Sequence, residues 1–92
     1  MIRLTGHLDV ARDQIGEVMA ALADHIRLTR AEPGCLKFEV TTDRADKCRL
    51  LVHELFASRA DFQTHQLRAR QGHWGKVTAG IQRHYCIEET SE

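Results

Sequence analysis

The chain has 92 residues, 42% of them hydrophobic, and its thirteen basic and thirteen acidic side chains cancel at pH 7. This is one domain, residues 1–92, too apolar for a disordered segment and small enough that self-association is an expectation from size alone. Balanced charge offers no field to nucleic acid or an anionic membrane, and no apolar run approaches a membrane span. Cys35, Cys48 and Cys86 are odd in number and form no CxxC pair, which predicts free thiols in a reducing compartment. No signal peptide precedes the first strand, so the expectation is a cytoplasmic protein. No glycine-rich phosphate turn is present, and neither flavin nor nicotinamide is expected.

Residues 2–8 alternate, with Ile2, Leu4 and Leu8 on one face and Arg3, Thr5 and His7 on the other, as a half-buried strand does. Asp9 or Asp13 is then a candidate cap for a helix over residues 11–31, whose apolar stripe is Ile15, Val18, Met19, Leu22 and Ile26. Pro33 has no N–H to continue that helix and pushes Glu32 out of the α region, and Gly34 permits the turn. A strand over 35–42 and a polar connection follow, then a third strand over 48–57. The third is apolar on both faces and therefore central. Ser58 with Asp61 three residues on reads as a helix start, and the helix runs to about residue 70. Trp74, Val77 and Ile81 keep helical spacing past Gly72, predicting a short third helix. Residues 81–87 alternate as a last strand, before a frayed acidic tail, Glu88–Glu92.

The order βαββαβ is a split βαβ unit of ferredoxin-like type in the α+β class, with a four-stranded antiparallel sheet and the helices on one face. Leu51 and Leu55 lie opposite Leu50, Val52 and Phe56, so the third strand asks for cover on both sides. A second copy packed sheet to sheet is the simplest source of it, and a homodimer is expected.

Three segments carry a family resemblance. The run from Glu32 to Val40, Glu-Pro-Gly-Cys-Leu-Lys-Phe-Glu-Val, resembles the EPGCLxFEV phrase that ends the first helix of antibiotic biosynthesis monooxygenases. Glu54-Leu55-Phe56 matches their E-x-W/F strand end, and Ala60 to His65 their A-F-x-x-H helix with one residue of slippage. The resemblance spans residues 2 to about 87 and implies a dimeric α/β barrel. It also implies a cofactor-free oxygenase acting with O₂ on a small aromatic or quinol substrate. Haem-degrading relatives and non-catalytic ligand-binding dimers are the alternatives. Where relatives place a second His, this chain has Arg70, with His73-Trp74 three residues later; the resemblance makes His73 the only candidate for the iron ligand that haem degraders carry after the second helix, and the chain contains no asparagine, which they use at the end of the first strand.

His65 shares a helical stripe with Phe62 and Ala69, points inward, and is the candidate general base for a phenol or hydroquinone proton. Asp61, one turn earlier, is its candidate orienting group. Trp74, Phe56, His73 and Tyr85 are candidate substrate-binding residues, with Trp74 and the Phe side chains equally readable as core. His7, His53 and His84 fall on neighbouring strands, with Cys86 two residues from His84, but no spacing matches a zinc motif. The expectation is no metal, and ordinary histidines on the dimer-facing surface.

Overall fold

The computed structural model describes residues 1–90. Its elements are β1 (Ile2–Asp9), α1 (Ile15–Arg30), β2 (Cys35–Thr42), β3 (Arg49–Phe56), α2 (Arg59–Gln71), α3 (His73–Val77) and β4 (Gln82–Glu89). The strands form one sheet in the order β2-β3-β1-β4, every neighbouring pair antiparallel, which is the ferredoxin-like arrangement expected. β3 pairs on both sides, in keeping with its two apolar faces. No helix among the described residues is long and apolar enough to cross a membrane.

The core lies between sheet and helices. Ile2, Leu4 and Leu8 from β1, Leu50, Val52 and Phe56 from β3, Val18 and Leu22 from α1, and Phe62 from α2 are its centre. Strand alternation sends every second residue of β1 and β3 inward. That inward row on β3 also contains Glu54, which is buried as well.

Four boundaries differ from the expectations. α1 starts at Ile15, with Gln14 in the cap position and no side-chain cap; Asp9 instead accepts from Arg49, 2.8 Å away. β3 is one residue shorter at each end than the 48–57 expected. α3 ends at Val77, and Ile81, expected on that helix, packs into the core from the connection to β4. The last strand extends through Glu89, beyond the expected start of the acidic tail. The β1–β4 pairing continues there: Thr90 N–H donates to the Met1 carbonyl at 2.8 Å, and the Met1 ammonium donates to the Thr90 carbonyl at 2.9 Å. The remainder of that tail, residues 91–92, lies outside the described residues.

Two glycines set close approaches. Gly6 has φ +147°, and a Cβ there would lie 1.9 Å from the His84 carbonyl oxygen, so its absence brings β4 tightly against β1. At Gly34 a Cβ would fall 2.1 Å from Asp61 Cγ, and the Gly34 carbonyl accepts from Ala57 N–H at 2.9 Å. The turn after α1 is thereby seated against the start of α2. α2 itself is mostly polar, and only Phe62 and His65 of its thirteen residues are buried.

The helix-free face carries Arg3, Thr5 and His7 from β1, Leu51, His53 and Leu55 from β3, and His84 and Cys86 from β4. The cross-strand pairs Thr5–His53, His7–Leu51, His7–His84 and Thr5–Cys86 fix this parity. Leu51 is 40% exposed there.

Candidate active site

Helical phase and strand parity bring one imidazole and one carboxyl to the same cavity. His65 occupies an inward position of α2 one turn after Phe62 and is 2% exposed. Its ring packs 4.7 Å from that of Phe56 and 5.6 Å from that of Phe38, centroid to centroid. Nδ1 lies 3.0 Å from Glu32 Oε1. A carboxylate only accepts, so Nδ1 carries the proton and Nε2 presents a lone pair. The other Glu32 oxygen accepts from Arg68 Nε, and Arg68 also donates to Thr29 Oγ1 at 2.8 Å. The imidazole is thus oriented by an anion that is itself held by a cation.

Nε2 faces Glu54, whose Oε1 is 3.7 Å away and has no hydrogen-bond partner although it is buried. Burial pushes the Glu54 carboxyl up to about 7, with the Glu32 charge adding to it. Burial also holds His65 below its usual value, and the attraction of Glu32 opposes that only in part. Near neutrality His65 is therefore an unprotonated acceptor beside a carboxyl that exchanges its proton in the same range.

Both groups open onto a cavity of about 360 Å³ lined also by His25, Trp74, Arg83 and Tyr85. His25 comes from the buried row of α1, Val18, Ala21, Leu22, His25 and Thr29. Its ring stacks on Trp74 at 4.7 Å with 5° between the planes, giving a flat wall. Burial drives His25 down to about 3, so it stays neutral, and the neighbouring His65, Arg68 and Arg83 act in the same direction. Burial raises the Tyr85 hydroxyl to about 12, which keeps it a donor. Arg83 is tied to the end of α3, donating to Thr78 Oγ1 at 2.7 Å.

The structure brings His65, Trp74 and Tyr85 together around this cavity. Phe56 stands behind the His65 ring and does not line the space. Asp61 does not orient His65: its backbone N–H donates to Ser58 Oγ at 3.1 Å, and its carboxylate accepts from the same hydroxyl at 2.9 Å. Glu32 fills the orienting position instead. His73 is exposed and borders an adjoining hollow of about 40 Å³ with Asp24 and Leu28, which shares His25, Ala69 and Trp74 with the first cavity, but it does not line the cavity of His65. Sequence alone does not identify Glu54, Glu32, His25 and Arg68 as site residues. Parity held a signal for two of them, since Glu54 falls in the inward row of its strand and His25 in the apolar stripe of its helix. Glu32 and Arg68 are 36 residues apart, and only the fold pairs them.

A profile of the antibiotic biosynthesis monooxygenase family matches residues 1–76. No functionally curated protein matches the sequence at a significant level. Among solved structures, the "Putative antibiotic biosynthesis monooxygenase" of Nitrosomonas europaea superposes with a TM-score of 0.87 at 20% identity, over 100% of both chains. A protein of the same description from Deinococcus radiodurans gives 0.80 at 18% identity, over 100% of this chain and 94% of its own. A Pseudomonas aeruginosa protein gives 0.75 at 22% identity, over 95% of this chain and 88% of its own. At these identities the structural likeness speaks to the fold, and the sequence profile speaks to the family. With the profile covering most of the chain and the fold shared end to end, this protein belongs to the antibiotic biosynthesis monooxygenase family.

Proposed function

We propose that the cavity takes a small phenol or aromatic diol and that His65 is the base for a cofactor-free monooxygenation by O₂. The observation that carries this reading is the pairing of a free His65 Nε2 with the unpartnered Glu54 Oε1, 3.7 Å apart at the cavity edge, while Nδ1 is bound to Glu32. In this reading Nε2 removes the hydroxyl proton, and the electron-rich phenolate passes an electron to O₂. The radical pair combines into a ring C–O bond, giving a hydroperoxide. Loss of water, which takes the ring hydrogen from the same carbon, then leaves a quinone carbonyl: one oxygen atom stays on carbon, the other leaves as water, and the substrate supplies all four electrons that reduce O₂. Glu54, with its carboxyl near 7, is placed to give a proton to the departing oxygen. The His25–Trp74 stack offers a planar wall, and Tyr85 a hydroxyl donor.

The deciding experiment is oxygen uptake by chelator-treated protein on a panel of phenols and hydroquinones. Uptake above autoxidation is expected, reduced by a factor of about 10² or more in His65→Ala and less severely in Glu32→Gln. No uptake across the panel, or an unaffected His65→Ala, overturns the mechanism and leaves a binding protein. The haem-binding alternative gains little support, because the exposed His73 borders a different hollow.

The sheet-to-sheet homodimer is the second part of the proposal. Its support is Leu51, 40% exposed beside Leu55 on the central strand of the helix-free face. Sedimentation should give twice the chain mass, and Leu51→Glu should return it to one. A monomeric wild type would remove this part.

A further inference from the structure

On the helix-free face, His7 and His84 are direct cross-strand partners, their rings stacked with centroids 4.7 Å apart and 28° between the planes. Both Nε2 atoms turn toward one oxygen: Asp9 Oδ2 lies 3.5 Å from His7 and 3.4 Å from His84. These separations exceed good hydrogen bonds. They match instead the spacing of about 3.4 Å between two ligand atoms on a tetrahedral ion with bonds of about 2.1 Å. Ligand atoms of all three residues lie within 4.8 Å of one another. The other oxygen of Asp9, Oδ1, accepts from Arg49 Nε at 2.8 Å, which fixes the carboxylate and turns Oδ2 to the two imidazoles. Support of this kind from outside the ligand set is usual for carboxylates that bind metal.

The geometry points to a divalent transition-ion site formed by His7, His84 and Asp9 on the sheet face opposite the His65 cavity. Two imidazoles and a carboxylate are the donor set that Zn²⁺ and its first-row neighbours take, with at least one coordination position left open. In the single chain the side chains are 28% exposed at His7, 37% at Asp9 and 43% at His84, so an ion has access before a second copy covers the face. His53 lies on the same face but pairs with Thr5 and Glu39, two residues along the strand from Leu51, which faces His7. It stands outside the cluster, as does Cys86. The trio differs from the histidine set expected from strand order alone, since Asp9 takes the third place. Because Leu51 adjoins His7, a second copy seated on this face would meet the open position. The fixed charge of Arg49 next to Asp9 offsets part of the attraction for a cation, and micromolar affinity is expected.

The test is calorimetric titration of the chelator-treated protein with Zn²⁺, and with Co²⁺ followed by its visible absorption. The expected result is saturable binding of one ion per chain, or one per two chains if a dimer shares it. His84→Ala and His7→Ala should each weaken binding at least tenfold, and His53→Ala should leave it unchanged. Absence of saturable binding, or equal affinity in His84→Ala and wild type, overturns the site. His84 is a half-exposed residue of an edge strand, so its replacement does not threaten the fold, and circular dichroism of each variant checks this.

Discussion

The two faces of the sheet hold the same kinds of side chain under opposite conditions. On the covered face the Glu54 carboxyl is buried without a partner, and loss of water pushes it up to about 7. On the open face the Asp9 carboxyl bonds to Arg49, and that hydrogen bond holds it below the usual carboxylate range. The first group is poised to exchange a proton near neutrality. The second is a fixed anion, suited to hold a cation or nothing. Chemistry here follows solvation and partner rather than residue type.

Two substitutions sharpen the contrast. The larger effect belongs to Glu54→Gln. A carboxyl raised from 4.5 to about 7 on folding stabilises the protein fully only below the lower value, and the contribution is lost as pH rises through the upper one. Removing the ionisation should therefore raise stability by up to about 3 kcal/mol at pH 8 and change it little at pH 4.5. Urea denaturation at the two pH values checks this, and a gain of equal size at both would show that desolvation of the charge is not the cause. The same variant should lose oxygen uptake, so the site would be exchanging stability for function. The smaller effect belongs to Asp9→Asn, which breaks a half-exposed ion pair with Arg49. The urea midpoint should move little at either pH. A large loss would mean that the open face is a structural support, and that the two faces are less different than their geometry implies.

Most of the fold could be read from the chain because its signals are local. Alternation in β1 and β3, the Pro33-Gly34 stop and the Ser58 cap each depend on a few neighbouring residues. The errors lay at ends that depend on distant partners. Asp9 was drawn away from capping by Arg49, 40 residues on, and Ile81 went to the core instead of prolonging α3. His65 was legible from helical phase alone. Its orienting group was not: Asp61 is one turn away in sequence, yet Ser58 engages it, while Glu32 arrives from 33 residues upstream. The position of Glu54 in an inward row could have been noticed, but parity says nothing of the imidazole it would meet. The pairing of Asp9 with His7 and His84 likewise required the β1–β4 register that Gly6 makes possible.

The turn at Gly34 has a wider consequence. It seats the α1–β2 turn of the first βαβ half against the β3–α2 turn of the second, with Asp61 occupying the volume a side chain at 34 would need and Ala57 bonded to its carbonyl. Glu32 stands two residues before this joint, and His65 one helical turn beyond Asp61. The acid–imidazole pair is therefore a seam between two halves of the chain, and neither half contains it alone. A partly folded chain with one half formed would hold an acid without its imidazole or the reverse, so proton abstraction at His65 would begin only when the two halves have docked. Activity would then report the docking of the two halves.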